Sequence, residues 1–405
     1  MKIAVICTGT ELLKGAVVNT NLRFIGEQLT ANGIPPVFSM ETPDDMESVS
    51  KALETAFSRA GTVIVTGGLG PTCDDVTKEA AAAFFHLPLV QDDRTYLSLM
   101  KRWNAVKNES GEAPSRFLNQ CMIPEGSEIL PNKCGTAPGI FLESGEKRLF
   151  LLPGPPNELE PMFSGQVIPI LREKRKNGCH TVLLHVAGVP ESIVEERMLP
   201  FITPSLSVAY CASPGLVKLF LSSFREEVLR DALDATKREF GPELLHGKHT
   251  TLQEEVVYLL GKAGLTMSLA ESCTGGMISE FITEVPGSSS VFLGGIVSYA
   301  NEVKETVLGV SPVTLENFGA VSAETCEEML LGVSRLTGSD IAAAVTGIAG
   351  PGGGSIEKPV GLVYTGIRFN GENFIRENRF KGSRRQIRER AGATVLNDIR
   401  QLLLR

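Results

Sequence analysis

No histidine follows His249 in this 405-residue sequence. A Ser–His–Asp triad therefore cannot be assembled from the last third of the chain, and a serine nucleophile there would need another base. The eight cysteines form no CxxC pair and no short regular spacing, which argues against the usual structural zinc patterns. Cys7, Cys73 and Cys273 sit in or beside apparent strand ends and read as reduced, partly buried thiols. No apolar run approaches the roughly 20 residues that span a membrane. The opening MKIAVICTG has one lysine and a short apolar run, the pattern of a first strand and not of a signal peptide. A cytoplasmic protein without membrane contact is expected. An excess of positive charge is missing as well. The formal net charge of -8 argues against a nucleic-acid partner, because phosphate backbones select basic faces. Small phosphorylated ligands need only a local pocket and stay open.

What is present is alternation. Residues 1–168 run KIAVICTG, TNLRFIGEQLTANG, PPVFSMET, MESVSKALETAFSRAG and TVIVTGG, strand-like and helix-like in turn. That order predicts an α/β fold, three layers with helices on both faces of a parallel sheet, and ligands beyond the carboxyl ends of the strands. Residues 169–250 read as a small α+β domain with a probable hairpin and no glycine-rich loop, a linker or dimerisation unit. Residues 251–405 return to α/β alternation, with GLVYTGIRF and ENFIRENRF able to pair and RRQIRERAGATVLNDIRQLLL as a long final helix.

In the first segment four glycine-containing loops stand out: TGTELLKG, TGGLGPTCDD, KCGTAPG and LPGPPNEL. Gly67, Gly68, Gly70, Thr72, Thr136 and Gly154 can present N–H groups and hydroxyls to a diphosphate. Asp74 and Asp75, with Glu11 and Glu158 as further carboxylates, can hold a divalent cation bridging phosphate oxygens. Asp74 or Asp75 would equally suit the start of the helix DVTKEAAAAFF as a cap.

These loops resemble the molybdopterin-binding fold and, more closely, the N-terminal domain of the CinA (competence/damage-inducible) family. The resemblance covers the whole first segment. It implies an ADP-ribose pyrophosphatase giving AMP and ribose 5-phosphate, using a divalent metal (Mg²⁺ or Co²⁺) and leaving a role for K⁺ open. It equally allows a plain nucleotide- or pterin-binding role.

A second set lies in the last segment: ESCTGG, PGSSS, SYANEVK, TGIAGPGGG and FKGSRRQIR. ESCTGG ends a strand and opens a helix, a turn that points N–H groups at an anion. Without histidine, a Ser–Lys pair is a workable solution. Lys304 must then be neutral, which burial or the nearby charges of Arg384 and Arg388 would favour; spacing alone makes it a solvated helix residue. These motifs resemble the nicotinamide-nucleotide amidase domain that forms the CinA C-terminal half, over residues 251–405. The resemblance implies deamidation of nicotinamide mononucleotide without a cofactor. It makes Ser289 the nucleophile, with the register among Ser288, Ser289 and Ser290 open. Lys304 and Tyr299 activate it, Thr346 holds the amide, and Arg384 or Arg388 supports charge. Ser272, Thr274, Gly275, Gly276, Asn301 and Gly347 are the substrate-binding candidates, and a homodimer is expected. Two alternatives remain: a binding protein acting in competence through a protein partner, and a molybdenum-cofactor enzyme.

Overall fold

The computed structural model describes residues 1–107, 113–174 and 179–405. They divide into two compact units, Met1–Val182 with Ser222–Leu229, and Leu183–Leu221 with Arg230–Arg405. The residues expected to form a middle domain are shared between these units. No described helix is long and apolar enough to cross a membrane.

The strands in chain order are β1 (Ile3–Thr8), β2 (Phe38–Thr42), β3 (Thr62–Thr66), β4 (Leu89–Gln91), β5 (Met122–Pro124), β6 (Glu128–Leu130), β7 (Gly139–Ser144) and β8 (Lys147–Leu152). After these come β9 (His180–Ala187), β10 (Ser207–Ser213), β11 (Leu216–Ser223), β12 (Met267–Glu271), β13 (Phe292–Val297), β14 (Ile341–Gly347), β15 (Leu362–Phe369) and β16 (Glu372–Arg379).

The first unit is built on a six-stranded sheet in the order β2-β1-β3-β8-β7-β6. β2, β1, β3 and β8 run parallel, and β7 and β6 close the far edge antiparallel. Successive side chains of a strand face opposite ways, and β1 buries both sets. Ala4 and Ile6 pack on Val49, Leu53 and Ala56 of the helix Met46–Arg59, while Ile3 and Val5 join Ile25 and Leu29 of the helix Thr20–Ala31. Each helix starts on a side-chain cap: Asn19 accepts from Leu22 N (2.9 Å) and Asp45 from Ser48 N (2.8 Å). The expected sheet covered on both faces is present, its four parallel strands extended by an antiparallel pair that the alternation did not disclose.

The last 140 or so residues repeat the logic around the order β13-β12-β14-β15-β16. β12 runs parallel to β13 and β14; β15 is antiparallel to both β14 and β16, β15–β16 being the expected hairpin. On one face Leu269, Ala343 and Val345 meet Val256 and Leu260 of the helix Leu252–Ala263 and Val395 and Ile399 of the helix Arg384–Leu403. On the other, Ala270, Ala342 and Ala344 meet Met329, Leu330 and Val333 of the helix Ala323–Thr337. The helices Leu252–Ala263 and Arg384–Leu403 begin with capping boxes, Thr251/Glu254 and Ser383/Gln386.

Candidate functional sites

Parallel strands leave their carboxyl ends as a row of turns, and β12 and β14 end beside one another. A cavity of about 260 Å³ lies there, lined by Ser272 and Cys273 after β12, Tyr299 and Lys304 after β13, and Thr346 to Ala349 at the end of β14. Lys304 is 1 % exposed. Its Nζ donates to Ser298 O (2.7 Å) and Tyr299 O (3.3 Å) and lies 3.2 Å from Ser272 Oγ. Burial lowers its pKa from the ordinary lysine value. A buried amine held against a serine hydroxyl is the Ser–Lys arrangement, built from Ser272. The adjacent Cys273 thiol is pushed up to about 12 by burial, so it stays protonated.

Around this pair the charges are fixed. Arg384 donates to the Tyr299 hydroxyl (2.8 Å) and to Gly350 O (2.6 Å), and Arg388 donates to Thr274 O (3.2 Å from Nε). The Glu271 carboxylate accepts from Gly276 N (3.1 Å), Ile278 N (3.1 Å), Ser279 N (2.8 Å) and the Ser279 hydroxyl (2.7 Å). It therefore occupies the start of the helix Met277–Thr283. Thr346 donates to Ala320 O (2.5 Å), and Lys358 Nζ donates to Phe318 O (2.5 Å) and Val321 O (2.7 Å). These bonds tie down the loop that supplies Ala320 and Val321 to the cavity wall.

In the first unit the strand ends of β1, β3 and β8 surround a cavity of about 380 Å³. The TGT, TGGLGPTCDD, GTAPG and LPGPPNE loops all reach it, with Gly67, Gly68, Gly70, Thr136 and Gly154 on its wall. Gly67 and Gly68 have φ of +103° and +68°, and a Cβ on either would sit 2.5 Å from Thr8 Oγ1 or 2.1 Å from Thr77 Oγ1. Only glycine fits both demands. Glu11, Asp44, Asp74, Asp75 and Glu158 bring carboxylates to the same wall. Asp75 Oδ2 accepts from Thr72 N (2.7 Å) and the Thr72 hydroxyl, while Glu158 Oε2 accepts from Asn132 Nδ2 (2.6 Å). The helix Thr77–Phe85 starts at Val76 without a side-chain cap, so neither aspartate serves as its cap.

Comparison with known proteins follows the same division. Residues 4–173 match the model of the probable molybdopterin binding domain, and residues 249–403 that of the CinA C-terminal domain. A putative competence-damage inducible protein of Alkaliphilus metalliredigens is 39% identical over 414 residues, covering 100% of both chains. The chain belongs to the CinA family. A CinA-like protein of Dictyoglomus thermophilum is 40% identical over 413 residues, again covering 100% of both chains. The solved competence/damage inducible protein CihA from Agrobacterium tumefaciens is 41% identical over a match covering 39% of this chain and 99% of that one, with a TM-score of 0.37.

Within this CinA-family chain the structure rearranges several expected roles. Ser289 is exposed in the short helix Ser288–Ser290, ahead of β13, where Val291 O accepts from Met267 N (2.7 Å) at the start of β12. Lys304 lies beyond the opposite ends of these strands. At about 3.3 Å per residue, the five residues of β12 put roughly 15 Å between the two. The serine that meets Lys304 is Ser272, expected as a binding residue. Thr274, Gly275, Gly276 and Asn301 are not on the cavity wall, whereas Gly347 is. The helix N–H groups expected to face a substrate anion donate to Glu271 instead. Arg384 and Arg388 are bound to Tyr299, Gly350 and Thr274, and burial is what lowers Lys304.

In the first unit Gly67, Gly68, Gly70, Thr136, Gly154, Glu11, Asp74 and Asp75 do meet at one cavity, while Thr72 acts from behind by holding Asp75. Asp44, which also accepts from Thr10 N (2.8 Å), was missed. Its signal was its place just after β2, a fourth parallel strand end.

Proposed function

We propose that this CinA-family chain is a bifunctional hydrolase of pyridine-nucleotide recycling. Its C-terminal half deamidates nicotinamide mononucleotide to nicotinate mononucleotide and ammonia. The observation that carries this reading is the buried Lys304 amine 3.2 Å from Ser272 Oγ. Neutral Lys304 takes the Ser272 proton as Oγ attacks the carboxamide carbon. The same proton passes to the amide nitrogen, the C–N bond breaks and ammonia leaves. Water, deprotonated by Lys304, then cleaves the acyl ester to release the nicotinate group and restore the serine. Tyr299, its hydroxyl held by Arg384, stands at the cavity as a donor for substrate.

The N-terminal half hydrolyses ADP-ribose to AMP and ribose 5-phosphate on this reading. Among the described residues no three His, Cys, Asp or Glu side chains converge on one point. That donor set suits Mg²⁺ or Co²⁺, since Mg²⁺ usually takes one or two carboxylates and completes its shell with phosphate oxygens and water. One or two of Glu11, Asp44 and Asp74 would hold the ion, whose charge offsets that of the diphosphate. The glycine loops would orient the diphosphate beside it.

Ammonia release from nicotinamide mononucleotide by the full chain tests the first activity. Ser272→Ala should lower it by roughly three orders of magnitude or more, while Ser289→Ala leaves it near wild type. The reverse pattern overturns the assignment of the nucleophile. No release by the wild-type chain overturns the amidase reading.

A further inference from the structure

A third cavity, about 340 Å³, lies wholly within the second unit and shares no residue with either site described above. Its volume is in the range of about 300–1,000 Å³ usual for small-molecule sites. One wall is a face of the helix Arg384–Leu403, where Arg390, Ala393, Thr394, Asn397 and Asp398 recur three or four apart. The rest comes from Gly188–Glu191 after β9, the turn between β10 and β11, and Arg376 and Phe380 at the end of β16. Gly188 and Gly215 both have φ of +75°, and Gly188 N donates to Gly215 O (2.9 Å). A Cβ on Gly188 would stand 2.5 Å from Asn397 Nδ2, and one on Gly215 2.7 Å from Ala393 Cβ. Glycine is therefore required at both turns, which close tightly on the helix.

The helix face is charged at both ends, with opposite sign. Arg390 spends one N–H on Lys381 O (2.6 Å), and a guanidinium has five, so donors remain for an anion. Asp398 lies roughly 12 Å further along the helix axis, at 1.5 Å per residue. One of its oxygens accepts from Arg376 Nη1 (2.9 Å), which offsets its charge and leaves the second oxygen free to accept. Thr394 brings a hydroxyl between the two ends. Ser213 Oγ donates to Leu216 O (3.3 Å) and keeps its lone pairs. Glu191, exposed on the wall, is a further acceptor, whereas Asn397 Oδ1 is covered and offers nothing to a ligand. Phe380 and Pro190 supply apolar surface.

A guanidinium with free donors suits a phosphate monoester, which presents three strong acceptor oxygens. The acceptors at the other end suit hydroxyl groups, which can donate to them. Inorganic phosphate would leave those acceptors unused, and a second phosphate would be driven toward two carboxylates. We infer that this cavity binds a phosphorylated sugar, with its phosphate on Arg390 and its hydroxyls on Thr394 and Asp398. The sugar phosphate is either free or the ribose 5-phosphate part of a mononucleotide, whose ring would then lie along Phe380 and Pro190. Neither proposed hydrolytic activity is needed for this site.

Calorimetric titration of the full chain in chelator tests the inference, with ribose 5-phosphate, inorganic phosphate, ribose and AMP as separate probes. Ribose 5-phosphate should bind at least about tenfold more tightly than phosphate or ribose, because only it engages both ends of the helix face. Arg390 is exposed, so Arg390→Glu reverses the charge without disturbing a core, and an unchanged melting temperature confirms the fold. That variant should weaken ribose 5-phosphate roughly tenfold or more, and Thr394→Phe, which fills the middle of the space, should act in the same direction. AMP binding more tightly than ribose 5-phosphate, with Arg390 still required, supports the site and names a mononucleotide as the source. AMP binding more weakly supports the site and names a free sugar phosphate. Ribose 5-phosphate binding that is absent, or unchanged in Arg390→Glu, overturns the inference. Phosphate binding as tightly as ribose 5-phosphate overturns it too, because the sugar is then not recognised.

Discussion

Replacing Lys304 by methionine separates catalysis from stability, because the amine is needed for the first and nearly neutral for the second. The side chain is 1 % exposed, and its Nζ donates to Ser298 O at 2.7 Å and Tyr299 O at 3.3 Å. Methionine keeps the volume and removes the desolvation cost of an ammonium, a change worth about 1–4 kcal/mol where buried ions have been replaced by apolar groups. Against that, Ser298 is fully buried, and its carbonyl loses a donor at a cost of about 1–3 kcal/mol. Tyr299 is 61% exposed, so its carbonyl has access to water as a substitute. The two effects nearly cancel, and stability by urea titration near pH 7 should shift by no more than about 2 kcal/mol. Deamidation should fall by about 10²–10⁴-fold, the usual contribution of a positioned general base. The pH dependence gives the sign. Lys304 titrates lower in the folded chain than the roughly 10.4 of an unfolded lysine. Between the two values only the unfolded chain binds the proton, so wild-type stability declines as pH falls through that window and levels off below the folded pKa. Lys304→Met should lose this contribution, and the wild-type rate should rise with pH as Lys304 becomes neutral. Deamidation within a few-fold of wild type in a folded Lys304→Met chain refutes the Ser–Lys reasoning.

Glu255 is fully buried; burial pushes its pKa up, but hydrogen bonds from His246 and His249 outweigh this and bring it below the usual range. His246 and His249 reach it through their ring nitrogens, and the Arg400 guanidinium lies 3.5 Å away. The stabilisation it gives is complete above the unfolded glutamate value of about 4.3 and is lost as pH falls through the lower folded value; Glu255→Gln should remove this acid-side slope in thermal melts between pH 3 and 7, and an unchanged slope refutes the assignment. Asp75→Asn should raise the Mg²⁺ concentration needed for AMP release by about 10–100-fold, as losses beside a metal site commonly do. The melting temperature should hold, because Asp75 caps no helix, and unchanged AMP release at limiting Mg²⁺ refutes a metal site at this loop.

The sequence discloses the fold more readily than the geometry of the sites. Buried parallel strands read as continuous apolar runs, and IAVICT and TVIVT are buried at every position. The helix starts at Thr251 and Ser383 carry capping boxes, Thr251/Glu254 and Ser383/Gln386. Three of the four loops of the first unit converge because each follows a parallel strand, β1, β3 or β8, an order the alternating pattern implies, while KCGTAPG joins them from the antiparallel β6–β7 connection. The pairing of Lys304 with Ser272, and not with Ser289, was hidden for a related reason. Ser289 lies in a motif before a strand and Lys304 in one after it, so the two occupy opposite ends of a layer whose thickness no local pattern reports. The burial of Lys304 was hidden too. ANEVKETVLG has the spacing of a solvated helix, and the residues that enclose Lys304 come from strand ends far away in the chain.

The ESCTGG turn shows why a glycine-rich helix start is ambiguous in sequence. Donors at such a start attract an anion from wherever one is available, and the first residue of this motif supplies it. Glu271 takes three backbone N–H groups and the Ser279 hydroxyl, charge-assisted bonds that a substrate phosphate would have to displace. Arg388 grips the same turn through Thr274 O, and Ser272 N donates to Val345 O at 2.9 Å. The turn is therefore held from the strand, the helix start and the final helix together. Ser272 lies between these anchors, and a nucleophile must be held within a few tenths of an ångström to react efficiently. The bonds of the motif thus hold Ser272 in place, and its helix-start donors are taken by Glu271. On the proposed reading the phosphate of a mononucleotide would find its donors elsewhere on the cavity wall, where the backbone of Gly350, Gly352 and Gly353 and the side chain of Arg384 are at hand.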